Sequence, residues 1–354
     1  MCSNFFLKKY WLLIRFSATS NPWYANCRIS SVTTKGKKIA ISIISAACWF
    51  SSFAQLTDNT STFRNINNKS YFRFLYDNDY FTKTDEYYTQ GFTLEYVHPS
   101  LKYFPVSRLL IKARNSDPQY GISINHIVYT PTNTESDAII YGDRPFAAAI
   151  SIKTFLTSSD SITGQHISSA LSVGVMGPAA QGKEMQTTLH RWLKNELPKG
   201  WQNQIQNDVI INYQLNYEKK LFSAGDFFLL NGAAEARIGT LDDKVSGGFN
   251  FIAGHFNNPY HPSNNKKKIQ YYVYGQSRIG IVAYDATLQG GLFNRSSAYI
   301  ISSGDISRVT FQADAGIIVN FRHLYLSYTQ SYLTKEFLTS HYHRWGGISI
   351  GCSF

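Results

Sequence analysis

The sequence predicts an all-β fold, an antiparallel transmembrane β-barrel of about twelve strands with a short helix in an extracellular loop. Three observations predict it. Apolar and polar residues alternate in segment after segment, the chain ends on Phe354, and no apolar run is long enough to cross a membrane as a helix. Aromatic residues are also abundant, with 24 Tyr, 24 Phe and 6 Trp, which a barrel uses as girdles at its two membrane–water interfaces.

The chain divides into a non-domain N-terminus, residues 1–54, and a barrel domain, residues 55–354. Residues 35–54 read as a secretory signal: Lys35, Lys37 and Lys38 are the basic region, Ile39 to Phe50 supply apolar character, and Ser52-Phe53-Ala54 gives small residues for cleavage. Residues 1–34 resemble neither a signal nor a domain, which leaves initiation downstream of Met1 open. Seven of the 34 Lys and Arg lie in residues 1–54, which hold no acid, so the rest carries 27 basic against 23 acidic residues, or +4. That balance gives no reason to expect nucleic acid as a partner. Cys352 is the single cysteine after the signal, so no intrachain disulfide is expected.

The clearest strand runs from Val209 to Tyr217. Val209, Ile211, Tyr213, Leu215 and Tyr217 share one face, expected against lipid, and Asn212, Gln214 and Asn216 share the other, expected against the lumen. A soluble β-sandwich shows the same period, so the argument rests on many long strands separated by turn chemistry. Phe92, Leu94 and Tyr96 alternate with Gly91, Thr93 and Glu95, and Phe311, Ala313, Ala315 and Ile317 with Gln312, Asp314 and Gly316. The last segment sets Ile348, Ile350, Cys352 and Phe354 against Gly347, Ser349, Gly351 and Ser353, and its terminal aromatic resembles the signal read by outer-membrane assembly machinery.

Candidate strands fall near 71–78, 88–97, 118–129, 145–156, 164–176, 206–218, 226–239, 245–255, 269–284, 305–319, 321–332 and 342–354. The even number puts both termini on the periplasmic side. Ser223 to Asp226 and Asn320 to Arg322 become short periplasmic turns, and 130–144, 177–205 and 285–304 become extracellular loops. Two connections, 98–117 and 256–268, are long yet periplasmic. A lumen this narrow is expected to be filled by side chains.

The chemistry is expected at the extracellular rim. Gln186 to Lys194 reads as a short helix stopped by Pro198-Lys199-Gly200; Gln186 and His190, four apart, share a face, and Glu196 lies beyond the last turn, within reach of the imidazole. A His held by a carboxylate can deprotonate water for attack on an ester, and imidazole's ordinary pKa near ~6.5 suits neutral pH. A surface His beside a surface Glu explains the same spacing. Asn78 and Asp79 end the first strand and Thr89 begins the second at the same level. Asn78 and Asp79 offer hard oxygens suited to calcium, which would polarise an ester carbonyl; a solvated polar hairpin is the simpler alternative.

Asn78-Asp79, Tyr88-Thr89-Gln90-Gly91, Asp143-Arg144-Pro145-Phe146-Ala147, His190, Pro198-Lys199-Gly200-Trp201 and Asn203-Gln204, in this order, resemble the lipid A 3-O-deacylase (LpxR) family. The resemblance covers residues 70–354 and implies a twelve-stranded outer-membrane barrel that removes the 3′-linked acyloxyacyl group of lipid A with calcium. It implies His190 as general base, Glu196 as its orienting carboxylate, Gln186 as a helix residue of the site, and Asn78, Asp79 and Thr89 as the strand-end cluster. The family's basic residue near the groove has no matching Lys within 130–143, and Arg144 is the substitute candidate. Arg144, Arg191 and Lys194 are the candidates for substrate phosphate. The partners implied are lipid A or lipopolysaccharide, outer-membrane lipids and the assembly machinery. Two alternatives remain open at this point: a phospholipase using one of Ser168, Ser169 and Ser172, and a non-enzymatic small porin or structural barrel. The expected mature N-terminus is Gln55, and Edman sequencing of protein isolated from membranes checks it; a start far upstream removes the signal assignment.

Overall fold

Backbone N–H and C=O groups have no water to bond in hydrocarbon, so strands that cross a membrane must close on themselves. The computed structural model, which describes residues 59–66, 68–79, 87–260 and 267–354, shows that closure. Twelve antiparallel strands run β1 Tyr71–Asn78, β2 Tyr87–Val97, β3 Gln119–Thr130, β4 Ala147–Asp160, β5 Gln165–Met176, β6 Asp208–Ala224, β7 Phe228–Gly239, β8 Asp242–His255, β9 Ile269–Asp285, β10 Val309–Phe321, β11 Leu324–Leu333 and β12 His343–Ser353. Each pairs with its sequence neighbours, and β1 pairs with β12 from Tyr71 opposite Ser353 to Asn78 opposite Gly346. The expected twelve-stranded barrel is therefore the fold. The signal segment lies outside the described residues.

The predicted face assignments hold. Val209 and Ile211 are exposed on the outer face of β6 while Asn212 and Asn216 are buried, and Ile348 and Ile350 are exposed on β12 while Ser349 is buried. Some boundaries move. β6 runs on to Ala224, and β10 continues through Phe321, so the turn falls on Arg322-His323, where Arg322 takes φ +54° and its N–H bonds Lys268 O at 2.8 Å. Of the two long periplasmic connections, 98–118 lies at the end that carries the C-terminus and folds into two 3-10 turns, Pro99–Tyr103 and Pro105–Leu109.

The lumen is filled, as expected, but partly by a segment that no strand pattern foreshadows. Residues 59–65 lie inside the barrel. Thr62 gives its N–H to Glu218 Oε1 at 3.0 Å and its hydroxyl to Glu218 Oε2. Arg64, fully buried, donates to Tyr274 Oη at 2.7 Å and Thr329 Oγ1 at 2.6 Å, while Phe63 stacks on Tyr274 at 4.4 Å. Arg73 ties the segment to the wall, donating to Arg64 O at 2.7 Å, to Asn59 O at 3.0 Å and to Glu95 Oε1 at 2.7 Å. Toward the other end, Tyr88 packs on Trp345 and Tyr129. Between these fillings a polar cavity of about 90 Å³ is lined by residues that include Asn59, Asn125, Lys153, Arg237 and Asp242.

Arg73 and Glu95 are both buried, so removing one leaves a charge without its partner, at a typical cost of ~3–5 kcal/mol. Arg73→Ala is expected to lower the temperature at which the folded electrophoretic band converts to the unfolded one. Arg73→Met with Glu95→Leu is expected to recover part of that loss, and equal shifts for the single and double variants would remove the pair from the account.

Candidate active site

The first half of the site is built where β1 and β2 leave the membrane. Alternation along β1 turns Phe72, Phe74, Tyr76 and Asn78 outward and Arg73, Leu75 and Asp77 inward. Phe72 and Phe74 are exposed to the bilayer, but Asn78, on the same face, is only 6% exposed, so other protein covers it. Its Nδ2 donates to Tyr76 Oη at 3.0 Å, and across the ladder it faces Gln90, itself buried. Asp79, one residue past the strand, is also buried.

Thr89 is the extra residue of a β-bulge, since Tyr88 pairs with Tyr129 and Gln90 with Val128. A bulge re-aims side chains at a strand end. Here it lets Tyr88 enter the lumen while Gln90 stays on the outer face, and the Thr89 and Thr130 hydroxyls meet at 2.6 Å. Gly91 follows for a steric reason, because a Cβ there would overlap the Tyr88 hydroxyl. Residues 80–86, the tip of this hairpin, lie outside the described residues.

The second half is helix α1, Gly182–Leu193, which lies on the outer wall of the barrel. Outward-facing His126 of β3 bonds Ala180 O through Nε2 at 2.7 Å, just before the helix. Val128 of β3 and Ala148 of β4, on the same outer face, pack with Ala180, Phe146 and Trp201. Gly182 sits against Ala148 and the Trp201 ring with no room for a Cβ. One turn on, Gln186 Oε1 accepts from Trp201 Nε1 at 2.8 Å, and Phe146 packs on Trp201 at 4.9 Å. The sequence motifs around Phe146 and Trp201 are thus one structural unit that seats the helix. Gly182, Gln186 and His190, four apart, form its buried face.

The helix is longer at its start than the sequence predicts and stops before Pro198. Lys194 turns left-handed at φ +59°, and Asn195 N–H bonds His190 O at 2.9 Å. That turn decides how the imidazole is held. His190 Nδ1 lies 2.5 Å from the main-chain carbonyl of Glu196, not from its carboxylate, and the Glu196 side chain is exposed. This corrects the expected role of Glu196. A carbonyl only accepts, so the proton sits on Nδ1, and in the neutral ring the lone pair is on Nε2.

Arg144 is the second correction. It is buried inside the barrel, paired with Glu336, bonded to Thr287 Oγ1 at 2.7 Å and stacked 3.9 Å from the centre of the Tyr129 ring. An Arg so committed cannot meet a phosphate outside the wall. Arg191 and Lys194 are exposed, as a phosphate contact requires. The serines weighed for nucleophilic chemistry are structural or remote: Ser168 bonds Thr60, Ser169 bonds the main chain of Ile111, and Ser172 lines the lumen cavity.

Sequence reasoning quoted Gln90 within a motif without giving it a role, and passed over His126. A signal for both was present: each occupies a lipid-facing register position, Gln90 in line with Phe92 and Leu94, His126 in line with Ile122 and Ile124. Gln90 and Gln186 share a further property, since the side-chain NH₂ of each is buried and finds no acceptor among the described residues.

A closed twelve-stranded barrel with apolar side chains exposed along its outer face defines an outer-membrane protein. A family model described as outer membrane protein LpxR matches residues 40–354, and the chain belongs to that family. In fold it is similar to LpxR from Salmonella typhimurium, with a TM-score of 0.66 and 19% identity over 80% of this chain and 100% of that one. The β domain of the Bordetella autotransporter BrkA, at a TM-score of 0.41 and 9% identity over 82% of this chain and 100% of that one, is far less similar. No curated protein matches the sequence.

Overpacking at Gly182 should loosen α1 from the wall at a cost of ~1–3 kcal/mol. Gly182→Val is therefore expected to speed trypsin cleavage after Lys183, Arg191 and Lys194 by roughly ten-fold while the barrel keeps its heat-modifiable mobility. Unchanged cleavage would mean that the helix is held elsewhere.

Proposed function

We propose that this protein is a hydrolase of the outer leaflet that removes the ester-linked 3′-acyloxyacyl chain of lipid A, with His190 as general base. The observation that carries the reading is a buried imidazole on the lipid side of the wall, its Nδ1 proton held by the Glu196 carbonyl, in a chain of the LpxR family. With the proton on Nδ1, Nε2 takes a proton from water as the water oxygen attacks the ester carbonyl carbon. The tetrahedral intermediate then expels the sugar oxygen, which receives that proton from the imidazolium, leaving a sugar hydroxyl and a free fatty acid whose carboxyl proton passes to solvent.

The oxyanion needs donors that are already desolvated and unpaired. The NH₂ groups of Gln90 and Gln186 meet that description, and their lack of any acceptor among the described residues supports the assignment. The two halves of the site share one row of the barrel wall: Asn78 pairs with Gln90, Gln90 with Val128, and Val128 with Ala148, on which α1 is seated. Three strand spacings are ~14 Å and Gly182 to His190 is ~12 Å of helix, so an α1 directed along the row toward β1 would carry His190 to within about one strand spacing of β1.

Asn78 and Asp79 would hold a calcium ion. The donors fit a hard cation: one buried carboxylate and a buried amide whose nitrogen is turned to Tyr76. Bound there, calcium would polarise the ester carbonyl and stabilise negative charge on its oxygen. Thr89 would support the cluster through Thr130. Around α1, Met185, Leu189 and Trp192 fall on one flank, with Trp192 78% exposed, and Lys183, Arg191 and Lys194 on the other. Such a helix suits acyl chains below and phosphates above. Phe354 is exposed and packs beside Phe72, and it would be the residue read by the assembly machinery.

Mass spectrometry of lipid A incubated with the purified protein tests the reading. Loss of an acyloxyacyl mass is expected with calcium and not with chelator, and His190→Gln should slow it by roughly 10²–10⁴-fold with the barrel intact. Activity retained in that variant would reject His190 as base, and unchanged lipid A under every condition would reject the substrate.

A further inference from the structure

The long connection between β2 and β3 has no part in the site and lies at the opposite end of the barrel. We propose that residues 99–114 form a collar on the outer wall that binds the phosphate headgroups of anionic phospholipids in the periplasmic leaflet.

The placement comes from hydrogen bonds. Register puts Ser158 of β4, Ser169 of β5 and Tyr213 of β6 on the faces that otherwise carry Ile152, Val173 and Ile211 toward lipid. Each of the three polar groups is taken by the connection: Ile111 N–H donates to Ser169 Oγ at 2.8 Å, Ala113 N–H to Ser158 Oγ at 2.9 Å, and Tyr213 Oη to Leu109 O at 3.0 Å. The segment therefore runs along the outside of β4, β5 and β6 rather than hanging below the barrel. Leu110 and Ala113 are buried against the wall.

What it presents outward has the composition of a membrane-interface element. Tyr103 is 75% exposed and Leu109 63%, with Phe104 and Ile111 close to half exposed. Among them stand four exposed cations, Lys102, Arg108, Lys112 and Arg114, and residues 99–114 contain no acid. Asp117, the acid that follows, is paired with Lys69 at 2.5 Å. Exposed apolar groups continuous with the lipid-facing belt belong among acyl chains, and cations beside them at the headgroup level attract anionic lipid. The inference needs only the outer-membrane placement and does not depend on the hydrolytic reading.

Native mass spectrometry of the delipidated full-length barrel, titrated with dioleoyl phosphatidylglycerol or dioleoyl phosphatidylcholine, tests the headgroup. Phosphatidylglycerol is expected to bind about ten-fold more tightly. The preference should vanish in the Lys102→Gln, Arg108→Gln, Lys112→Gln, Arg114→Gln variant, whose changes are all at exposed positions. Equal binding of the two lipids, or a preference that survives in the variant, would overturn the proposal. Competition by glycerol phosphate as strong as by the lipid would reduce the site to a soluble-anion site and overturn it too. Depth is read separately, with a fluorophore on Leu109→Cys in a Cys352→Ser background. Quenching by lipids brominated near the headgroup is expected, and quenching by aqueous iodide alone would place the collar in water and overturn it.

Discussion

The constraint on which the rest of this structure depends is that nothing polar can face hydrocarbon unpartnered. For the backbone, the solution is closure of β1 on β12. For side chains, it is an outer face that is mostly apolar along the strands. Two regions with buried polar residues on that face carry a cover of protein. At the extracellular end Asn78, Gln90 and His126 stand on outward positions, and α1 lies on the wall there. At the periplasmic end Ser158, Ser169 and Tyr213 do so, under residues 109–113.

The same constraint acts inside the barrel with different means. Wall side chains alone do not fill this lumen, and residues 59–65 occupy part of it. Thr62 is met by Glu218, Arg64 by Tyr274 and Thr329, and the carbonyls of Asn59 and Arg64 by Arg73 of β1, which also pairs with Glu95. A lumen so occupied serves as scaffold. The site proposed above lies on the outer wall, where α1 is seated.

The candidate site illustrates how short motifs acquire meaning only in contact. Gly91 gives space to Tyr88, Gly182 lets the helix reach Ala148, and Trp201 holds Gln186 while covering Phe146. None of these residues need touch a substrate. Together they fix where His190 stands, and a main-chain carbonyl then fixes its tautomer.

By itself the sequence determined the barrel, its twelve strands, their faces and the positions of Asn78, Asp79, Thr89, Gln186 and His190 at one rim, because a period of two and a helical spacing of four are local properties of the chain. It could not determine the partner of a side chain across ~140 or more residues. Arg144 was legible as a conspicuous cation and illegible as the partner of Glu336, inside the barrel. Glu196 was legible as near His190, but the left-handed turn at Lys194 presents its carbonyl instead of its carboxylate. The threading of residues 59–65 through the lumen and the path of residues 99–114 along the outer wall were likewise decided only in the closed barrel, since both follow from which polar groups the completed wall leaves in need of a partner.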